Sequence, residues 1–420
     1  MMDRLRFLVS RIRQQLWVRP LIMCLISVGV VFLARTADRL PAENLVPDLS
    51  LDTTETLLKI LASSMLVIAT FAVGSMVSSY ASASGTATPR SFPLVIADDV
   101  SQNALSGFIG AFIFSIVALI GLKTGFYGAV GHFVLFITTL IVFAAVILIF
   151  MRWMDCIARL GRLGSTIDKV EVAAAEALDR RRCAPTLGGA GVTDGAEGRR
   201  LVFGETIGYV QRVDLDTLQE YAEEGSCRVE VLALPGSFAA PGQALARVAG
   251  EGKDFGDHDA AAITSAFVIG DDRTYEDDPR FGLIVLSEIA ARALSPAVND
   301  PGTAIDIIGT YVRLFAAWAR PLEAEEVTEC KYDRVEVPEI SVRDMLDDAF
   351  MSIGRDGAGT VEVALRLQKA LRALSLLGNR ELRDAARFHS RLALTRAEKA
   401  LALPEEIEAL QEASRFGTGD

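Results

Sequence analysis

The sequence predicts a membrane all-α domain of four transmembrane helices, followed by a cytoplasmic α+β domain that combines a small β unit with a helical bundle. Hydrophobic residues occupy 51% of the 420 positions, above the usual share for a soluble protein. This excess is concentrated in four runs within residues 17–151. Beyond residue 199, short alternating runs precede longer stretches of helical periodicity, which indicates strands and then helices.

Each of the four apolar runs is about long enough to cross a bilayer. Crossing ~30 Å of hydrocarbon takes roughly 20 residues in a helix, and only closed secondary structure satisfies the backbone polar groups there. The runs are approximately Trp17–Ala34, Leu57–Tyr80, Ala104–Leu122 and Val130–Met151. We therefore predict four spans in a transmembrane domain of residues 1–160, with the lipid bilayer as its surroundings.

The first run follows a basic N-terminal arm, a combination also found in secretory signals. The run is long, and FLARTADR after it makes a poor cleavage site, so the prediction is an uncleaved anchor. Arginines are frequent in the arm and after the fourth run, whereas the loop after the first run is acidic. By the positive-inside rule, four spans then place both termini in the cytoplasm of a bacterial inner (cytoplasmic) membrane protein.

Charge is distributed unevenly along the chain. The net charge is −12, and the acidic excess lies in residues 201–420. An acidic domain argues against nucleic-acid binding and attracts cations rather than anionic lipid. The five cysteines are scattered without paired spacing, so neither a disulfide framework nor a metal site is predicted, and no cofactor is expected.

The remaining chain divides into three predicted parts. A helical stalk and a flexible loop rich in Gly, Pro, Thr and Asp occupy residues 161–198. A small β-rich subdomain follows over residues 199–256, with a helix at Asp214–Glu224. Residues 257–420 read as a mainly helical cytoplasmic subdomain, in which Asp257 caps a helix running through DHDAAAITSAFVIG, Pro279 and Pro301 open two more, and KYDRVEVPE is compatible with a strand.

The loop between the second and third runs contains the first candidate site. Thr88 before Pro89 is a typical helix start. Asp98 and Gln102 are four residues apart, and Arg90 precedes Asp98 by eight, which places all three near one face of a continuous helix. They are candidates for the cytoplasmic mouth of a membrane pathway. The alternative is an interfacial helix with a structural ion pair or cap.

Serines at helical spacing mark the second run, and its pathway candidates are Ser75, Ser78 and Ser82. Hydroxyl groups can line a water-filled pore, but small residues are also the usual contact points between membrane helices. No Asp, Glu or Arg lies deep in any run. Proton pumps and voltage sensors depend on such groups, so both functions are disfavoured.

The segment RALSPAVNDPGTA joins two predicted helices at a tight corner. An acidic cluster ending at Asp278 lies about 20 residues before Asn299 and Asp300 of this corner. Its oxygens suit Mg²⁺ or Ca²⁺, but the helix between the two places separates them by ~20 Å, so no metal site is predicted. Asn299 or Asp300 as a helix cap explains the corner, while its small residues would also permit a subunit contact or a ligand. The ligand or contact candidates are Asp278, Arg292, Ser295, Asn299, Asp300 and Thr303.

Catalytic arrangements are scarce. The chain has three histidines, and none accompanies a serine or cysteine in a known nucleophile motif. GxSxG, HExxH and a GxGxxG at a strand–helix junction are all missing from the sequence. The sequence therefore does not predict an enzyme.

Several of these segments together resemble one protein family. They are DDPRFGLIVLSEIAARALSPAVNDPGTA, TPRSFPLVIADDVSQNALSGFIGAFIFS, IGYVQRVD and DDAFMSIGRDGA. The chain resembles, over nearly its whole length, an uncharacterised family of predicted bacterial integral membrane proteins, domain of unknown function 2254. The resemblance implies four spans and a cytoplasmic domain, and no established activity.

Two functions compete on this reading. The first is a channel- or transport-like protein, in which several copies surround an axis and the acidic domain favours a cation. The alternative is a membrane-anchored sensor or scaffold, whose cytoplasmic domain binds a small ligand or a protein partner near residues 295–303. A membrane-bound enzyme ranks last because no catalytic set is found.

Overall fold

The computed structural model describes residues 17–39, 47, 50–96, 98–159, 162–193, 200–250, 256–323, 326–378 and 380–417. The chain forms two compact units, Met1–Thr166 and Ile167–Asp420. The basic N-terminal arm and most of the acidic loop after the first span, on which the predicted orientation depends, lie outside the described residues.

The first unit consists of helices. They are α1 (Val18–Thr36), α2 (Leu51–Thr86), α3 (Phe92–Ile96), α4 (Asp99–Lys123) and α5 (Ala129–Arg159), with short 3-10 turns at Ala37–Arg39 and Pro89–Ser91. Four segments of the described chain are long and apolar enough to cross a membrane: Val18–Arg39, Leu51–Ser82, Asp99–Lys123 and Ala129–Arg159. The prediction of four apolar helices in the N-terminal region, each long enough to span a membrane, is confirmed.

Helix α4 occupies the centre of this unit and packs against α1, α2 and α5. Its glycines allow close approach, as their spacing suggests. A Cβ on Gly110 would lie 3.2 Å from the Cβ of Met23 in α1, and one on Gly107 would lie 3.0 Å from Ile149 Cδ1 in α5. Large side chains such as Phe108 and Trp153 fill the interior. The core between the four spans is therefore apolar and packed.

A distant aspartate caps α5. The Asp38 carboxylate accepts hydrogen bonds from the backbone N–H of Gly128, at 2.8 Å, and of Gly131, at 2.6 Å. A carboxylate at a helix N-terminus satisfies free N–H groups and interacts favourably with the helix dipole. Asp38 thus ties the chain after α1 to the start of α5.

The second unit combines helices with two sheets. Its helices are α6 (Leu163–Cys183), α7 (Leu215–Glu224), α8 (Asp257–Thr264), α9 (Pro279–Ala293), α10 (Pro301–Trp318), α11 (Val342–Asp356), α12 (Val361–Ser375), α13 (Arg380–Ala400) and α14 (Pro404–Ser414), followed by a 3-10 turn at Arg415–Gly417. Its strands are β1 (Gly189–Ala190), β2 (Arg200–Phe203), β3 (Gly208–Val213), β4 (Arg228–Val231), β5 (Phe238–Ala239), β6 (Ala244–Ala249), β7 (Phe267–Gly270) and β8 (Tyr332–Glu336). This mixed architecture agrees with the coarse α+β prediction.

The two sheets have the strand orders β1-β8-β4-β6-β2 and β5-β3-β7. In the larger sheet, β1 and β4 pair in parallel with β8, and β6 lies antiparallel between β4 and β2. Helix α7 buries Leu215, Leu218 and Ala222 in the core beneath these strands. Asp214 caps this helix by accepting from Thr217 N, which confirms the predicted helix at this place.

Three local expectations are wrong. The stretch after Asp257 is not helical to its end, because Phe267–Gly270 forms β7 and pairs antiparallel with β3; its Val and Ile residues suit a pleated strand. The N-cap of α8 is Gly256 rather than Asp257. The predicted loop after Cys183 contains strand β1.

Strand β8 confirms the strand expected in KYDRVEVPE. Together with β7, it means that each of the two sheets includes a strand from residues 257–420.

Helix α9 is a buried helix of the second unit. Leu283, Leu286 and Ile289 are shielded from solvent, and the helix packs against α10 and α11. Gly282 allows α6 to cross it closely, since a Cβ there would lie 2.5 Å from Ala174 Cβ. The burial of α9 fixes the position of its two ends, where the sequence places its candidate residues.

Candidate functional site

A cavity of about 300 Å³ lies in the second unit, where α9 and α11 begin beside the loop between β4 and β5. This volume is at the lower end of the range for small-molecule sites, ~300–1,000 Å³. Both helices start at a side-chain cap that lines the cavity. Asp278 accepts from Arg280 N at 3.1 Å, and Ser341 Oγ accepts from Asp344 N at 3.2 Å.

Asp278 is the buried anchor of the cavity wall. Its side chain is 1% exposed, and its Oδ2 accepts from Arg273 Nε at 2.6 Å. The carboxylate lies against Gly236, whose φ is +93°, and a Cβ there would come within 2.5 Å of Oδ2. Only glycine combines this backbone conformation with so close an approach. The β4–β5 loop and the start of α9 are therefore fitted to each other.

Arg273 lines the cavity and has donors that its bond to Asp278 does not use. Among the residues that the structure describes, neither its Nη1 nor its Nη2 has a hydrogen-bond partner. The guanidinium carbon lies 5.6 Å from the centre of the Phe281 ring, which supports one face of the group. With its side chain 16% exposed, Arg273 is held in place and can still donate two hydrogen bonds.

Arg280, in contrast, is fully engaged. Its Nε and Nη2 donate to Asp348 at 2.6 and 3.2 Å, and its Nη1 donates to Asp344 at 3.1 Å. Such a two-point contact is strong and directional. Burial raises the pKa of Asp348 although Arg280 opposes that rise. This arginine therefore binds α9 to α11 rather than contacting a ligand.

Of the six candidates predicted for the cytoplasmic domain, the structure places only Asp278 in the cavity. Arg292, Ser295, Asn299, Asp300 and Thr303 lie at the other end of α9. That helix has 15 residues, so its ends are ~22 Å apart at 1.5 Å per residue. The two groups do not form one site.

Turn chemistry accounts for the polar groups of the corner after α9. Asn299 adopts φ +50°, a conformation that asparagine tolerates, and its N–H donates to Ser295 O at 2.8 Å. Asp300 caps α10 by accepting from Thr303 N at 3.2 Å and Thr303 Oγ1 at 2.6 Å. These bonds lower the pKa of Asp300.

In the first unit, Asp98 and Gln102 lie one turn apart at the start of α4. Asp98 caps that helix by accepting from Ser101 N at 2.9 Å, and it also accepts from the Cys156 thiol at 3.2 Å. Gln102 is buried and donates to Ile96 O at 2.9 Å. Arg90 belongs to the separate turn Pro89–Ser91, which Thr88 caps. The expected continuous helix from Arg90 to Gln102 is wrong, because the chain is extended at Asp98 and α4 starts anew there.

The predicted serine stripe points away from the interior of the first unit. Ser78 and Ser82 are exposed and Ser75 is half-buried. The buried side of α2 is instead formed by apolar residues such as Leu58, Met65 and Ala72. These serines do not line a passage inside this unit.

The sequence does not single out Arg273, Gly236 or Ser341 as site residues. Arg273 precedes Asp278 by five residues, a separation at which the two side chains can pair. Gly236 and Ser341 come from distant parts of the chain, and only the packing of α9 and α11 brings them together.

Comparison with known proteins identifies the family of the chain, but the family description and the relatives carry no stated activity. The model of the family described as "Predicted membrane protein (DUF2254)" matches residues 13–373. The uncharacterized proteins MT1328 of Mycobacterium tuberculosis (strain CDC 1551 / Oshkosh) and Mb1321c of Mycobacterium bovis (strain ATCC BAA-935 / AF2122/97) are each 35% identical over 105 residues. The match covers 24% of this chain and 20% of each relative, about a fifth of their length. No solved structure matches. Since the family model spans most of its length, the chain belongs to the DUF2254 family of predicted membrane proteins.

Proposed function

We propose that the protein is a membrane-anchored sensor, whose Ile167–Asp420 unit binds a small ligand in the cavity beside Asp278. The observation that carries this proposal is the state of Arg273. The buried carboxylate of Asp278 holds Arg273 at Nε, and neither Nη group has a hydrogen-bond partner among the described residues. Arg273 is also one of the residues that line the cavity. A preformed donor pair in a concave site is the usual arrangement of a small-molecule site.

The packing of the first unit supports an anchoring role for the spans. Its interior is filled by side chains such as Phe108, Phe114 and Trp153, and the serines of α2 face outward. In this proposal the spans lie in the bacterial inner membrane with both termini in the cytoplasm, so that the sensing unit reads a cytoplasmic ligand.

The test is a small-molecule screen on the purified full-length protein in detergent micelles, read as a rise in thermal unfolding temperature. Ser237→Trp fills the cavity, and Val298→Trp adds the same side chain at an exposed position of the corner after α9. We expect compounds that stabilise the wild type and Val298→Trp but not Ser237→Trp. Stabilisation that persists in Ser237→Trp, or a library without any hit, would contradict the proposal.

A channel-like homo-oligomer is the second candidate, and the outward position of Ser78 and Ser82 on α2 favours it. Such serines could line a pore only between copies of the chain, and the acidic residues of the second half would then favour cations. We expect cation-selective currents in planar bilayers that Ser78→Trp blocks. If the folded wild-type protein gives no current at several voltages, the channel is refuted and the spans act as anchors only.

A further inference from the structure

We infer that the ligand of this cavity is a small zwitterion of the amino-acid class, with a carboxylate, an ammonium group and an aliphatic side chain. This inference rests on the proposed function and specifies the chemistry that the site selects. The cavity wall has a cation, Arg273, with part of its hydrogen-bonding capacity left over, and an anion, Glu339, without a basic partner among the described residues. A ligand of both charges can bond to both.

The anion-binding side is Arg273. Its Nη1 and Nη2 form a planar fork that matches a carboxylate. Because Nε already donates to Asp278, the guanidinium is oriented before a ligand arrives and its charge is balanced. The fork therefore selects a carboxylate by geometry more than by net charge.

The cation-binding side is Glu339, in the loop before α11. Glu339 lines the cavity and is exposed, and within the described part of the chain it contacts no basic group. Arg280, the other cation of the wall, is occupied by Asp344 and Asp348. An ammonium group on the ligand is the partner that the Glu339 carboxylate lacks.

The rest of the wall limits the ligand's size and polarity. Leu232, Leu234 and Pro235 supply an apolar surface, and the cavity measures about 300 Å³. Phosphate compounds are disfavoured because the wall carries the three acids Asp278, Glu339 and Asp344. A metal ion is disfavoured by the two arginines, and among the described residues no group of three or more His, Cys, Asp or Glu side chains is placed to hold one.

Three probes of similar shape separate the two charges. L-leucine carries both, 4-methylpentanoate lacks the ammonium group, and isopentylamine lacks the carboxylate. We would measure their binding to the full-length protein in detergent micelles by titration calorimetry at neutral pH. We expect L-leucine to bind about tenfold more tightly than either analogue, which corresponds to ~1.4 kcal/mol for each lost contact.

Two variants assign the contacts. Glu339→Gln weakens L-leucine about tenfold and leaves 4-methylpentanoate unchanged, whereas the exposed control Glu362→Gln on α12 changes neither. Arg273→Lys, which keeps the charge beside Asp278 but loses the fork, weakens L-leucine and 4-methylpentanoate and leaves isopentylamine unchanged.

The outcomes separate this inference from the proposed function. Equal binding of the three probes, or L-leucine binding that Glu339→Gln does not alter, overturns the zwitterion. The zwitterion is also overturned if L-leucine does not bind while the library yields compounds of a single charge whose stabilisation Ser237→Trp abolishes. That outcome leaves the proposed sensor function in place. A library without cavity-dependent hits removes the sensor itself.

Discussion

Gly236→Ala tests whether the fit between the β4–β5 loop and Asp278 holds the candidate site together. Gly236 has φ +93°, and a Cβ there would come within 2.5 Å of Asp278 Oδ2, 2.6 Å of Cγ and 2.7 Å of Oδ1. The carboxylate has little freedom to retreat, since it is buried and bonded to both Arg273 and the start of α9. We expect the substitution to separate these groups.

Two contributions set the size of the effect. Holding a residue other than glycine in a left-handed conformation costs about 1–2 kcal/mol. Weakening a hydrogen bond to a buried charged group costs a further ~1.5–3 kcal/mol. The sum, roughly 2.5–5 kcal/mol, corresponds to a fall of about 10 °C in unfolding temperature for a unit of this size.

Gly242→Ala is the matched control. Gly242 has φ +88°, but a Cβ there would meet no atom within 4 Å, so this variant carries the backbone cost alone. We would compare both variants with the wild type by thermal unfolding of the full-length protein in detergent micelles. Equal falls in unfolding temperature would refute the role assigned to the Asp278 carboxylate.

Two more predictions concern other parts of the chain. Gly131→Ala would place a Cβ 2.6 Å from Asp38 Oδ2 and disrupt the cap of α5, so we expect a loss of several degrees in unfolding temperature, whereas Gly29→Ala, with open space around it, is neutral. Burial lowers the pKa of His389 from 6.5 to about 4, against the opposing effect of Asp347. The unfolded chain therefore binds more protons between these values, and stability is lost as pH falls from 6.5 toward 4, by up to about 3 kcal/mol. His389→Gln removes this part of the pH dependence, and an unchanged pH profile of its unfolding temperature would contradict the assignment.

Features that depend on neighbouring residues could be predicted from the sequence. The apolar runs gave the four spanning helices, because length and composition alone decide whether a helix can cross hydrocarbon. The starts of α7, α9 and α10 could also be predicted from the sequence. In each of them the capping aspartate lies within three residues of the N–H from which it accepts a hydrogen bond.

Features that depend on distant residues could not be predicted in this way. Asp38 caps α5 by accepting from the Gly128 N–H, 90 residues later in the chain, and nothing in the local sequence indicates that pairing. The interruption of the helix at Asp98 was missed for a similar reason. An aspartate can cap a helix or lie within one, and here it also accepts from Cys156, 58 residues away.

Strand β7 shows the same limit for the sheets. Its residues directly follow the alanine-rich helix α8, and their apolar side chains fit a helix or a strand equally well. Pairing with β3 decides between the two. The partner lies more than 50 residues earlier in the chain, so local propensity does not identify it.

Both ends of α9 carry an aspartate cap beside a proline, and hydrogen bonding decides which end can bind a ligand. At the corner after α9, the Asp300 carboxylate accepts from Thr303 three residues on, and the backbone N–H of Asn299 donates to Ser295 O. A ligand there would have to replace bonds that already exist, for little net gain. At the start of α9, Asp278 is equally satisfied, but its partner is Arg273, whose Nη1 and Nη2 donate to no other group in the described part of the chain. A ligand at this end replaces hydrogen bonds to water and breaks none within the protein. For that reason the cavity, rather than the corner after α9, is the place where binding can be favourable.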